Sequence, residues 1–392
     1  MALKWFFLYG SVLGVFHAIF DSESRNSAGS LLHRLFNLVI FLLECAALVR
    51  FLTTVSDIEV GVNMSTSFVM MTLFYKIMCV GSQAFIFFVQ HKIPQMIKKH
   101  YENKLQQSTL IYGESTLMWT ATLLVGFCLF TSLIVCVTAV MNSYELVDFP
   151  IKISLWPGYP IVLPIVAFYM HSSLSFCTGL YILMWLVSKK SADELCHEMD
   201  SAEHCSVDKL GKRYQVLYES VQTLNSHFGR FLLFVFTMTL PCVLASVYCI
   251  IKDSSGDAAT KAVVACWCAM MVFQQLMLAV PAAILHEKGQ EIKDAFFRMY
   301  NYSRDVEENA VKMAHCQLFA AQLDSSPLEL SADNFFTVTR SFLLTLVSAL
   351  LTYFIVIIQF DPSYTGGEAE APKIIYITNA TLLEELQQSG IL

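Results

Sequence analysis

Charge is scarce in this chain. Only 15% of its 392 residues are Asp, Glu, Lys or Arg, where soluble domains carry about a quarter. A water-soluble core is therefore excluded as the whole of the fold. The 56% hydrophobic content and mean hydropathy of +0.55 point to a lipid bilayer as solvent. Positive charge is scarcer still. With a formal net charge of −7 and no stripe of Lys and Arg, the chain lacks what a nucleic-acid binder needs to neutralise phosphates, and nucleic acid is not expected as a partner. Also missing are a phosphate-cradling glycine loop, an HExxH motif, and acids paired within the apolar runs. Glu44 and His171 stand alone, so nothing assembles a reaction. The chain reads as a non-enzyme with no cofactor.

Cysteine is present, 12 in all, but mostly inside apolar runs or segments expected in the cytosol, so a secreted disulfide framework is excluded. Cys249 and Cys266 flank a short turn; a bridge and a pair of small helix-interface residues both fit them. Cys196, His197, Glu198, His204 and Cys205 have a composition that could hold zinc. The spacing is not that of a known finger and adjacent ligands rarely reach one metal, so no metal is expected.

What is abundant is length of apolar run. A bilayer core of about 30 Å needs about 20 residues of helix, and seven stretches qualify: 34–52, 65–88, 116–140, 161–187, 231–251, 262–285 and 337–360. The apolar stretch 5–20 is short and has no small-residue cleavage site, so it reads as an amphipathic lead-in to the first span. Lys and Arg near span ends stay on the cytoplasmic side. With the N-terminus inside, 19 of the 25 basic residues fall on the cytoplasmic face, and only Lys152, Lys252, Lys261 and Lys373 lie outside. The predicted fold is an all-α integral membrane protein with seven transmembrane helices, a cytoplasmic N-terminus and an extracellular C-terminus. Its parts are a lead-in at 1–33, spans one to four within 34–187, and a cytoplasmic helical loop at 188–230. Spans five and six within 231–285, a cytoplasmic helical segment at 286–336, the seventh helix at 337–360 and an acidic outer tail at 361–392 complete it. Asn63 and Asn379 head glycosylation sequons that this orientation leaves outside, whereas Asn301 heads one inside.

The inner loops are long and helical in pattern. Leu210, Tyr214, Leu217, Tyr218, Val221 and Leu224 recur at three and four, as do Val306, Ala310, Met313, Ala314, Leu318 and Ala321. These helices are expected to pack below the membrane as an anchor. No internal inverted repeat of the transporter kind is present, nor any low-complexity segment. Pro241 and Pro281 interrupt backbone bonding in the fifth and sixth spans, which is ordinary in membrane helices.

The seventh span carries Ser348, Thr352, Ile355 and Gln359 on one stripe at 100° per residue. A polar stripe in an apolar span faces either a partner helix or water, and the residues alone leave both open. The same span ends Thr352-Tyr353-Phe354-Ile355-Val356-Ile357-Ile358-Gln359-Phe360, matching in full the TYhhhhhQF signature of insect gustatory receptors, where h is hydrophobic. In its span number, inner N-terminus and long inner loops the chain also resembles that family over residues 1 to 360. The family's chains usually stop soon after the signature, whereas residues 361–392 follow here.

The resemblance implies a tastant-gated, non-selective cation channel, a homo- or heterotetramer with gustatory receptor subunits in the plasma membrane of a chemosensory dendrite. Ser348, Thr352, Tyr353, Ile355, Ile358, Gln359 and Phe360 would line or gate the pore. It also implies a small-molecule pocket within each subunit's own helices. Polar residues at mid-depth are costly in lipid and so are candidates for its lining: Lys76, Gln83, Tyr169, His171, Ser172, Ser173, Trp267, Gln274 and Gln275. Structural hydrogen bonding is the other reading of each. An odorant-receptor-like channel, a solute transporter and a metabotropic receptor are the alternatives.

Overall fold

The computed structural model describes residues 28–55, 64–89, 113–143, 151–153, 159–201, 206–252, 258–303, 310–359 and 375–377. Eight helices account for nearly all of them: α1 (Ala28–Val55), α2 (Met64–Val89), α3 (Gly113–Ser143), α4 (Tyr159–Ser201), α5 (Val207–Lys252), α6 (Ala258–Ser303), α7 (Ala310–Ser325) and α8 (Arg340–Gln359). The first six expected spans fall inside α1 to α6. The seventh begins three residues later than its apolar run, because Val338 and Thr339 belong to a turn. Among the described residues five helices, α2 to α6, are long and apolar enough to cross a membrane, and α8 adds a shorter apolar stretch at Arg340–Val356.

The expected cytoplasmic loops are not separate units. α4, α5 and α6 run unbroken for 43, 46 and 46 residues, because the helical pattern of the polar segments continues in phase with the spans. Pro164, Pro241 and Pro281 are accommodated inside them. α4 is buried on every side from Met170 to Met184, as the central helix of a bundle is, and its His171, Ser172, Ser173, Ser175 and Thr178 side chains are hydrogen-bonded there. α3 lies along it, α6 packs on its other side, and α2 lies on α5. At Gly81 the approach of α2 to α5 leaves no room for a side chain, since a Cβ there would fall 2.3 Å from the Phe234 ring.

Below the spans, α5 buries Leu210, Tyr214, Leu217, Val221 and Leu224. On α7 the expected face is corrected: Met313 and Leu318 are exposed, and Cys316, Phe319 and Leu323 are buried instead. Phe319 meets Tyr214 and Phe296 edge to face, and these aromatics select the side of the helix that turns inward. Charged residues tie the same region together. Lys288 of α6 reaches Asp193 of α4 at 3.0 Å, Lys293 reaches Asp324 at 2.5 Å, and Glu198 is held by Arg213 and Lys209. Of the cysteine and histidine group beside Glu198, His204 and Cys205 lie outside the described residues.

The segment 326–339 between α7 and α8 is a compact turn. Ser331 and Thr337 form an antiparallel bridge, and Asp333 and Asn334 adopt positive φ of 50° and 63°. One departure from an all-helical architecture occurs. β1 (Ile151–Ile153), between α3 and α4, pairs in parallel with β2 (Ile375–Ile377) of the tail, Ile151 opposite Ile375. Cys249 and Cys266 are both free thiols. Asn63 and Asn379 and the lead-in 5–20 lie outside the described residues.

Candidate functional site

Five helices converge on an internal cavity of about 120 Å³. α1 contributes Ala47 and Phe51, α2 contributes Met71, Thr72, Tyr75 and Lys76, and α3 contributes Val135 and Thr138. α4 adds Val166 and Met170, and α6 adds Val264 and Trp267. These positions lie near the ends of α1 and α3 and the starts of α2, α4 and α6, so the cavity sits toward the end of the bundle that also carries β1. At 1.5 Å per residue, Lys76 lies about 18 Å below the start of α2 and is among the deepest of the wall residues.

The wall is apolar and aromatic, with few polar groups, and most of these are already engaged. Trp267 Nε1 donates to Thr138 Oγ1 at 3.2 Å, and Thr138 donates on to the Val135 carbonyl at 2.9 Å. The Tyr75 ring lies 4.9 Å from that of Trp267, and its hydroxyl meets His171 Nδ1 at 2.9 Å. His171 Nε2 meets Ser175 Oγ at 3.1 Å, and Ser175 faces Thr131 at 3.4 Å. This buried chain of hydroxyls and imidazole stands behind the wall and fixes the Tyr75 ring.

Two groups are not so engaged. Thr72 Oγ1 is buried without a hydrogen-bond partner. Lys76, one turn along the same face of α2, forms no hydrogen bond among the described residues and lies 5.3 Å from the centre of the Phe51 ring. Glu44 of α1 is fully buried. Gln83, in the orientation that satisfies both groups, donates to the Glu44 carboxylate, 3.2 Å from Oε1. A buried polar group in lipid needs such a partner.

Of the nine residues expected to line a pocket, the structure brings Lys76 and Trp267 to one cavity. Gln83 supports Glu44 outside its wall, and His171 supports Tyr75. Ser172 donates to Ser132 at 2.8 Å, Ser173 to the Tyr169 carbonyl at 3.1 Å, and Gln274 to Thr178 at 3.1 Å. Tyr169 is partly buried against the Phe168 ring, and Gln275 Oε1 is buried without a partner away from this wall. Thr72 and Tyr75 were not singled out by sequence; their spacing of four and one from Lys76 on a single helix face was the available signal.

The helix with the TYhhhhhQF residues stands at the edge of the bundle. α8 touches α5 and α6 through Phe342, which stacks on Phe336 at 4.4 Å and meets Phe236 edge to face. Its base is fixed by Arg340, which donates to Glu287 of α6 at 2.6 Å. Ser348, Thr352, Tyr353, Ile355 and Gln359 are all exposed in the single chain; the side chains of Ile358 and Phe360 lie outside the described residues. Thr352 Oγ1 donates to the Ser348 carbonyl at 2.8 Å, so its hydroxyl is satisfied within the helix.

Comparison with known proteins gives concordant results. The profile of the family described as 7tm Chemosensory receptor matches residues 3–364. Gustatory receptor family protein 3 of Caenorhabditis elegans is 23% identical over 232 residues, 56% of this chain and 52% of that protein. High-energy light unresponsive protein 1 of the same organism is 26% identical over 206 residues, 50% of this chain and 46% of that protein. The chain thus spans about half the length of these relatives. Among solved structures, the insect olfactory receptor OR5 of Machilis hrabei in complex with eugenol superposes with a TM-score of 0.69 at 12% identity. The match covers 92% of this chain and 98% of that one. A second structure of OR5 gives 0.64 at 14% identity over the same shares.

Proposed function

This chain belongs to the 7tm chemosensory receptor family, and from that premise we propose that it is a gustatory receptor acting as a tastant-gated, non-selective cation channel. The observation that carries the reading is the isolation of α8. It contacts its own subunit along one edge and turns Ser348, Thr352 and Gln359 outward. A Gln side chain facing hydrocarbon is costly, and water in a pore or a neighbouring subunit relieves that cost. Four copies with α8 innermost would give this face such an environment, with Ile355 and Ile358 as a hydrophobic constriction able to close by dewetting and Gln359 and Phe360 at the gate. A small molecule in the five-helix cavity would supply the gating energy.

We place the protein in the plasma membrane of a chemosensory cell, with the C-terminus outside. The outer face then carries the cavity end of the bundle, β1 and the acidic tail, whose carboxylates attract cations. An odorant-gated channel of the same design is the second reading, favoured by the structural likeness to an olfactory receptor. Expression of the chain in otherwise silent cells tests the proposal. Ligand-evoked cation current that survives G-protein blockade, altered by Gln359→Ala, is expected. Substrate uptake without unitary conductance, or a C-terminal tag stained only after permeabilisation, would sink it.

A further inference from the structure

We propose that the molecule this receptor detects is a compact, mostly apolar compound bearing one neutral hydrogen-bond acceptor, such as an aromatic ketone or ester, and is neither a sugar nor a protonated amine. The inference rests on reading the five-helix cavity as the ligand site, and goes further by asking which chemistry that cavity leaves unsatisfied.

Size comes first. A cavity of about 150 Å³ lined by apolar side chains is enough to hold benzene, and here the volume is about 120 Å³. A single ring with a short substituent is the appropriate scale. The walls suit a ring, because Tyr75 and Trp267 present aromatic surface and Val135, Val166 and Val264 present aliphatic surface.

Polar demand comes next. The indole of Trp267, the hydroxyl of Thr138 and the hydroxyl of Tyr75 already have partners. What remains is the Thr72 hydroxyl and the Lys76 ammonium, one helical turn apart on α2. A Thr hydroxyl in a membrane helix usually donates to the carbonyl four residues back; Thr72 does not. Lys offers donors only. One acceptor oxygen between them satisfies both. A sugar would bring several hydroxyls to a wall with two groups to spare, and each hydroxyl left unpaired loses its bonds to water without replacement.

Charge decides the last point. An ammonium in the ligand would meet the like charge of Lys76 in a medium of low dielectric. A carboxylate would carry a full charge out of water into an almost wholly apolar wall, at a large desolvation cost. A neutral acceptor avoids both conflicts.

The full-length receptor, purified in detergent, is assayed for binding by ligand-induced thermal shift with four probes: acetophenone, its acceptor-free counterpart ethylbenzene, glucose and benzylamine. Acetophenone is expected to bind about tenfold more tightly than ethylbenzene, the equivalent of one hydrogen bond. Thr72→Val and Lys76→Met should each bring the acetophenone-to-ethylbenzene affinity ratio toward one. If Lys76→Met fails to fold, Thr72→Val carries the test alone. Stronger binding of glucose or benzylamine, absence of acetophenone binding, or equal binding of the two aromatics overturns the proposal. Ala167→Leu, at another wall position of α4, narrows the cavity and separates the two layers of inference. Acetophenone binding that it leaves intact removes the cavity as the site, whereas glucose binding that it abolishes keeps the site and discards the ligand class.

Discussion

Asn225 of α5 and Ser331 of the turn before α8 hold each other reciprocally across the fold. The Ser331 amide donates to Asn225 Oδ1 at 3.0 Å, and Asn225 Nδ2 lies 3.0 Å from Ser331 Oγ. That hydroxyl also receives the Asn334 amide at 3.2 Å. A single side chain of α5 thereby fixes the backbone from which α8 departs.

Removing this grip has a definite expected cost. Asn225→Ala leaves the buried Ser331 amide without its acceptor, which typically costs about 1–3 kcal/mol. The unfolding temperature of the purified receptor should fall, and Asn225→Asp, which keeps the acceptor, should fall less. Equal stability of all three proteins would show that the bond is replaced by water.

Two glycines give opposite predictions. A Cβ on Gly229 would lie 3.0 Å from the Asp333 amide nitrogen and 3.2 Å from the Ser331 carbonyl, and backbone cannot easily yield. Gly229→Ala is expected to destabilise. At Gly211 the nearest atoms are at 3.6 and 3.7 Å, ordinary contact, so Gly211→Ala should stabilise by about 0.5–1 kcal/mol through helix propensity. Thermal denaturation of the two variants side by side decides, and a gain for Gly229→Ala would contradict the close packing of α5 on the turn.

The bond between α4 and α6 below the membrane is sensitive to acid. Burial raises the cost of charging Asp193, but hydrogen bonds from Lys288 and Lys189 outweigh it and hold the carboxyl below its ordinary 3.8. With the folded value depressed, its contribution is present above pH 3.8 and is lost as pH falls through the folded value. Lys288 is shifted up by its bonds to Glu291 and Asp193, so its side of the pair weakens only as pH rises beyond 10.5. The difference in stability between the native receptor and Asp193→Asn should be constant between about pH 5 and 9 and shrink below pH 4. A difference that grows toward acid would reverse the assignment.

The strand pairing can be trapped chemically. Ile151 and Ile375 are direct partners in register, and Cα atoms of neighbouring strands fall within the roughly 4.4–6.8 Å range a disulfide needs. A receptor carrying Ile151→Cys with Ile375→Cys should form an intramolecular bridge at the cell surface, detected by peptide mass mapping, while Ile151→Cys with Tyr376→Cys should bridge less. Bridging of the second pair in preference to the first would shift the register by one residue.

Much of this architecture was legible because run length and loop charge are strong signals. The six apolar runs that fall inside α1 to α6 came from run length, and the α5 pattern from Leu210 to Leu224 came from periodicity. The α7 face did not, because Met313, Leu318, Cys316 and Phe319 offer apolar residues on several sides, and only the Tyr214 and Phe296 rings choose between them. The pairing of β1 with β2 joins segments far apart in the chain, and two short runs of Ile carry no mutual address. The cavity was half legible. Lys76 and Trp267 are conspicuous as polar groups in spans, whereas Thr72 looks like any membrane threonine until its missing partner is seen.

The continuity of α4, α5 and α6 has a mechanical consequence. At 43 to 46 residues each, these helices are about 65–70 Å long, twice the thickness of a hydrocarbon core. They are continuous helices rather than spans with attached loops. A rod held at mid-membrane swings its two ends in opposite directions, so a few degrees of tilt imposed near Val264 or Met170 arrives at Lys288, Asp193 and the root of α8 as displacement of reversed sign. Levers of this kind need no chain of small side-chain adjustments between the cavity and the far ends of the helices.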